Sequence, residues 1–288
     1  MILRQLLKTL TLSFLLCATT TGVLAQSDDW VRPFPGFRVI GNLYAVGTYD
    51  LSVFLITSDA GHILINTGLA DSTAMIRDNI RSLGFRLEDV KIILCQQAHY
   101  DHTAALAEIK EITGAQMWAT AEDAPILEDG GYSDPHFGGR QTFAPVGVDK
   151  IISEGEIIAL GDIRLTVIET PGHTQGSSSY LMTVQENNRD YRVLIANMAT
   201  INAGKQMVVE PTYPGVSGDF AATFAKQKNL DIDVWVAAHG GQYGLHNKYQ
   251  PGQAYNPNNF VDPRGFQAEV RRLEQLYLDQ VAEEQSSN

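Results

Sequence analysis

The sequence predicts an α/β fold in which two sheets pack face to face with helices outside. Three observations carry this. Strand-length apolar runs and helix-length amphipathic runs succeed one another along the 288 residues. The order, strands first and then helix, occurs twice. Three separate apolar strands end on histidines. Each element must bury an apolar face, and a layered arrangement does that for both halves at once. The composition, 44% hydrophobic and 19% charged, is that of a globular chain. No low-complexity tract and no internal repeat interrupts it.

The N-terminus reads "MILRQLLKTLTLSFLLCATTTGVLA". Basic Arg4 and Lys8 precede an apolar run, and small residues end at Val23-Leu24-Ala25. This predicts a secretory signal peptide over residues 1–25, followed by one domain over 26–288. The run, broken by Thr19, Thr20 and Thr21, is short for a membrane span of roughly 20 residues. Cleavage removes two basic and no acidic side chains, taking the formal net charge from −12 to −14. Such a surface repels nucleic acid and anionic lipid. Cys17 leaves with the peptide, so Cys95 has no intramolecular disulfide partner.

Short strands follow from Phe37: "FRVIGNLYAVG", "LSVFLITSDAG" and "HILINTG", broken at glycines and aspartates. "DSTAMIRDNIRSLGF" predicts a helix capped by Asp71 or Ser72, with Met75, Ile76, Ile80 and Leu83 on one face. "VKIILC" is a buried strand, and "TAALAEIKEI" a helix with Leu106, Ile109 and Ile112 inward. "AQMWAT" is a strand. "AEDAPILED" is a short helix closed by Gly130 and Gly131, and Tyr132–Val146 a loop whose segment "SDPHFGG" looks mobile. The strand pattern restarts at "EIIAL", "IRLTVIET", "SSSYLMTV" and "YRVLIAN". Helix "GDFAATFAKQKNL", strand "IDVWVAA" and a C-terminal helix with Phe266, Val270, Leu273 and Leu276 complete the chain.

Four of seven histidines stand at strand-to-loop junctions. "IILCQQAHYDH" places His99 and His102, "LTVIETPGH" His173, and "DVWVAAH" His239. Strand ends are where polar groups from distant segments meet in α/β sheets. With Asp101 between two of these histidines, the pattern points to a metal site. Imidazole and carboxylate donors favour zinc. Gln97, His99, Asp101, His102, His173 and His239 exceed one tetrahedral shell, so a pair of ions is expected. His62 reads as solvated, His136 as a loop residue near a pocket, and His246 as surface or supporting. Cys95 reads as a packed free thiol, and Tyr243 as core.

"QAHYDH" resembles the His-x-His-x-Asp-His signature of the metallo-β-lactamase superfamily. "PGHTQGSSSY" and "AAHGGQYGLHNK" resemble the segments that supply its later histidines in subclass B3. Gln97 in place of the first histidine, and Met198 in "VLIANMATI", resemble the GOB-type branch. The resemblance covers most of residues 37–250. It implies a four-layer αβ/βα sandwich, one zinc site of Gln97, His99 and His173, and a second of Asp101, His102 and His239. Gln97 donates through an uncharged amide oxygen, so the first site is expected to bind more weakly. Asn66 stands where many members have an aspartate that orients a ligand.

The implied activity is zinc-dependent hydrolysis of the β-lactam amide bond by metal-bound hydroxide, with Asp101 catalytic. It would confer resistance to β-lactam antibiotics, carbapenems included. Thr200 and Asn202 are the substrate-binding candidates, with Lys205 a weaker one. The expected partner is a small-molecule β-lactam acting on a periplasmic monomer, with no nucleic acid and no membrane. The same attack opens thioesters and lactones, so a glyoxalase-II-type thioesterase or a lactonase is the alternative.

Overall fold

The computed structural model describes residues 27–287. The expected signal peptide lies outside the described residues. Helix α1 (Asp28–Val31) leads into β1 (Phe37–Ile40), β2 (Leu43–Ala45), β3 (Phe54–Ser58) and β4 (Gly61–Ile65). Helix α2 (Thr73–Ser82) precedes β5 (Val90–Leu94). Helices α3 (Tyr100–Thr103) and α4 (Leu106–Thr113), β6 (Gln116–Ala119), α5 (Ala124–Asp129) and β7 (Lys150–Ile151) close the first half. The second half holds β8 (Ile157–Leu160), β9 (Ile163–Glu169), β10 (Ser178–Glu186), β11 (Arg189–Ala196), α6 (Val216–Lys228), β12 (Val234–Ala237), α7 (Leu245–Lys248) and α8 (Pro263–Ser286).

The expected two-sheet order is what forms. One sheet runs β1 to β7 in sequence order, and the other runs β12-β11-β10-β9-β8. In the first sheet the pairs from β1 to β4 are antiparallel and those from β4 to β7 parallel. In the second, only β11 and β12 run parallel. Strands β3, β4 and β5 are apolar on both faces because both faces are covered. Ile56, Ile65 and Leu94 meet Val167, Tyr180 and Val193 between the sheets. Leu55, Leu64 and Ile93 face outward onto Ile76, Ile80, Leu106 and Ile109 of α2 and α4. On the other outer face, Phe220 of α6 stacks on Tyr277 of α8 at 5.8 Å.

Helix α8 begins as its sequence dictates, with Asp262 accepting from the Gly265 N–H (2.9 Å) and Pro263 in the first turn. Its buried stripe is Phe266, Val270, Leu273 and Tyr277. Leu276 was expected inward, but it is 49% exposed. The fourth contact falls four residues after Leu273, so the aromatic residue turns in. His62 is a second correction. It is buried, not solvated, because its strand pairs on both edges and its ring meets Phe85 edge-on. No helix among the described residues is long and apolar enough to cross a membrane.

The parallel strands end together. The segments after β5, β9, β11 and β12 all emerge at one edge of the sandwich, where they carry the expected residues. Gln96, fully buried, ties that edge together. Its carbonyl accepts from Ser178 N (2.9 Å) and Asn197 Nδ2 (2.7 Å), its N–H donates to Asn66 Oδ1 (3.0 Å), and its side-chain oxygen accepts from Asn66 Nδ2 (2.9 Å). Asn66 sits at φ +65°, a left-handed conformation that asparagine tolerates better than most residues.

Candidate metal centre

His99, Asp101 and His102 come from one tight turn. The segment after β5 turns into α3, with His99 at the N-cap and the His102 N–H donating to the His99 carbonyl (3.0 Å). Thr67, after β4, donates its backbone N–H to the His102 carbonyl at 2.7 Å and so fixes the turn from below. His173 follows β9 and His239 follows β12. Asp123 joins two of these segments. It accepts from Ala98 N (2.9 Å) on one side and from Gly176 N (3.1 Å) and Thr174 Oγ1 (3.2 Å) on the other. Gly176 packs so closely on Asp123 that a Cβ there would lie 2.5 Å from Asp123 Oδ1.

Two groups of donor atoms result. In one, Asp101 Oδ2 lies 3.1 Å from His102 Nε2 and 3.4 Å from His239 Nε2. Among the described residues, these three are the His, Cys, Asp or Glu side chains that could close on one ion. In the other, His99 Nδ1 lies 3.1 Å from His173 Nε2. His173 Nδ1 faces the Thr200 carbonyl (2.8 Å) and hydroxyl (3.0 Å). A proton on Nδ1 satisfies that carbonyl and leaves Nε2 as a lone pair. Gln97 lines the same cavity as His99 and His173, and its Oε1 accepts from Asn197 Nδ2 at 3.1 Å.

The donor set fits metal ions. Zinc bonds of about 2.0–2.1 Å in a tetrahedron put neighbouring ligand atoms about 3.3 Å apart. The three separations of 3.1, 3.4 and 3.1 Å lie around that value. His102 Nε2 is buried and makes no well-aligned hydrogen bond, and neither does His99 Nε2, which stands 3.3 Å from Asp134 Oδ2. Such an orphan is costly unless a cation meets it.

Charge is arranged around the same atoms. Burial raises the Asp101 carboxyl, but His102 and His239 overcome this and hold it well below the usual range. Burial lowers His239, yet Asp101 and Asp50 push it up to about 9. Burial, with His99 and Lys205 adding to it, holds His173 well below its ordinary value. Asp123 is pushed up to about 6 by burial. Over both groups opens a cavity of about 290 Å³, walled by Trp30, Tyr100, Phe137, His136, Thr200 and Asn202. A larger hollow of about 690 Å³ beside Asp59, His62 and Asp162 lies away from these histidines.

Residues 47–185 match the family model of the metallo-beta-lactamase superfamily. The fold is similar to the class B3 di-zinc metallo-beta-lactamase LRA-12 from an Alaskan soil metagenome. Identity is 45%, with 89% of this chain and 97% of that one covered and a TM-score of 0.86. It is also similar to the metallo-beta-lactamase GOB-18 from Elizabethkingia meningoseptica, at 42% identity over 90% and 96% of the two chains, TM-score 0.87. The chain belongs to the metallo-beta-lactamase superfamily. Among curated relatives, hydroxyacylglutathione hydrolase of Rhodospirillum rubrum is 29% identical over 143 residues, 47% of this chain and 48% of that protein. The chain spans about half the length of the curated relatives it matches first. The αβ/βα sandwich that the resemblance implied is therefore the fold of this superfamily member.

Asp101, His102 and His239 converge as one group and His99 faces His173; other carboxylates stand behind them. Asp50 Oδ2 meets His239 Nδ1 at 2.9 Å, and its carboxylate also accepts from Trp30 Nε1 (3.2 Å) and Gly241 N (3.0 Å). Asp134 Oδ2 lies 3.3 Å from His99 Nε2. Asn66 touches no histidine; its polar atoms go to Ser52 and Gln96. Thr200 and Asn202 line the cavity, and so does His136, which the sequence pattern reads as an ordinary loop histidine. Lys205 is 2% exposed and does not line it. Cys95 is a buried free thiol, and Tyr243 is core.

Proposed function

We propose that this chain is a zinc-dependent β-lactamase of subclass B3, hydrolysing the β-lactam amide bond in the periplasm as a monomer. The observation that carries this is the pair of facing donor groups under one cavity. Likeness to B3 metallo-beta-lactamases over nine-tenths of the chain supports it. His99, His173 and the Gln97 amide oxygen would hold one zinc, and Asp101, His102 and His239 the other. Bound there, zinc supplies a Lewis acid that lowers the pKa of water toward neutrality and polarises a carbonyl.

The chain's own residues do the rest. Asp101, ionised, accepts a hydrogen bond from the attacking water and orients it toward the lactam carbonyl. Asp50 and the Thr200 carbonyl fix the rings of His239 and His173 through their Nδ1 atoms. Trp30, Tyr100 and Phe137 offer apolar faces to the bicyclic nucleus and exclude water around it. The Thr200 hydroxyl and Asn202 amide stand at the rim for the substrate carboxylate. Gln97, standing where the signature has its first histidine, supports reading the chain into the GOB-type branch. It makes the His99 half the weaker metal site, since an amide oxygen is a poorer donor than imidazole. Hydrolysis of carbapenems as well as cephalosporins, and with it antibiotic resistance, follows on this reading.

The hydroxyacylglutathione hydrolase relatives favour a second reading, a thioesterase. They align over about half their length, whereas the B3 likeness covers 89% of this chain and 97% of that one. The deciding experiment offers the mature chain a carbapenem, a chromogenic cephalosporin and a glutathione thioester, with zinc and then with chelator. Chelator-sensitive turnover of the two lactams is expected. Thioester turnover alone would replace the first reading with the second.

A further inference from the structure

Asp134 is 5% exposed and lies in the loop that carries "SDPHFGG". Its Oδ1 accepts the backbone N–H groups of His136 (2.8 Å) and Phe137 (2.5 Å). Its Oδ2 lies 3.3 Å from His99 Nε2. The turn it folds brings the Phe137 ring edge-on against His99, at 4.9 Å between centroids. The same carboxylate thus shapes the turn and meets one of the proposed donors.

A carboxylate beside Nε2 favours the tautomer with its proton there, leaving Nδ1 as a lone pair. That Nδ1 faces His173 Nε2 at 3.1 Å. Asp50 does the equivalent for His239, through the other ring nitrogen. The two halves differ in charge, however. The His239 half includes the carboxylate of Asp101, whereas Gln97, His99 and His173 bring no anion. A dication on neutral donors in a buried site needs a negative charge nearby. We propose that Asp134 is the positioning residue of the Gln97–His99–His173 half, fixing the His99 tautomer and supplying the negative charge that Gln97 lacks, an inference that rests on the two-metal reading above.

Asp134→Asn separates this role from turn formation. The Asn carbonyl still accepts from His136 and Phe137. Its amide N–H₂ would face His99 Nε2 and drive the proton onto Nδ1, the atom meant for metal. Zinc equilibrium dialysis and cobalt(II) absorption on the full mature chain compare wild type, Asp134→Asn, Asp134→Ala, His173→Ala and His239→Ala. Asp134→Asn is expected to weaken one metal equivalent by about 10–100-fold. Its cobalt spectrum should then match that of His173→Ala and not that of His239→Ala. Wild-type affinity for both equivalents in Asp134→Asn, with loss only in Asp134→Ala, would reduce Asp134 to a turn former and overturn the proposal. So would loss of the equivalent that His239→Ala loses. Unchanged metal uptake in His173→Ala would overturn the two-metal reading itself, and the proposal with it.

Discussion

Asp101 brings its carboxylate into contact with His102 and His239, whereas Gln97, His99 and His173 present only uncharged donor atoms. Behind the first group stands Asp50, and behind the second Asp134. Lys205 bears on the second group: its positive charge adds to burial in lowering His173, and it also lowers His136 on the cavity wall. A cation beside Asp101 is neutralised in direct contact. One beside His99 is neutralised only across an imidazole ring, and against a nearby lysine. Coulomb energy falls with distance, so the two halves are unequal before any difference in ligand strength is counted. On the proposed two-metal reading, one fold would offer a tight and a loose metal position from the same strand ends.

His102→Ala tests the tight half and carries the largest expected effect. It should remove one zinc equivalent and lower β-lactam turnover by about 10²–10³-fold, the scale of losing a preorganised electrostatic partner. Full zinc content and rate would remove the Asp101 group from the site. Gln97→His tests the loose half. Replacing an amide oxygen by imidazole should tighten that half about tenfold in stepwise zinc titration, on the scale of ligand and supporting-residue changes. Two equal affinities already present in the wild-type chain would dissolve the comparison.

The histidines were legible because each follows an uninterrupted apolar strand. Burial writes itself into the sequence as hydrophobicity, and the first polar residues after it mark the edge of the sheet. Asp50, Asp123 and Asp134 carry no such mark. Each sits in a loop, where aspartate is the ordinary turn former, and its partner lies 25 residues or more away along the chain. "SDPHFGG" reads as a polar turn, and only the fold brings Asp134 onto His99. Trp30 was passed over because it lies before the first strand, in α1, yet its ring stands 5.7 Å from that of His239. His62 shows the converse. A glycine before it signals a turn, but the backbone continues into a doubly paired strand.

Trp30→Phe probes the wall of the cavity on the tight side. It keeps most of the apolar face but removes the N–H that donates to Asp50. We expect KM for a bulky cephalosporin to change less than about threefold and kcat to fall by a similar factor, the worth of one modest hydrogen bond. A change in KM alone would mean that Trp30 acts only as the substrate contact proposed above and would free Asp50 from its influence.

Lys205→Met carries the smallest effect and reports on the loose side through stability. Burial lowers the Lys205 ammonium to about 8, with Asp134 partly opposing. Below about pH 8 both folded and unfolded chains hold the proton, and the full cost of burying the charge is present. Between about 8 and the ordinary lysine value the unfolded chain binds a proton that the folded one does not. Stability therefore rises with pH across that window. The variant should melt a few degrees higher than wild type at pH 7, and the gap should close by about pH 10. The same variant relieves a repulsion on any cation beside His173, so the looser zinc should tighten slightly. A lower melting temperature at pH 7 would mean that Lys205 and Asp134 act as a buried pair. Asp134 would then be shared between the lysine and His99, narrowing the contrast between the two halves from the opposite direction.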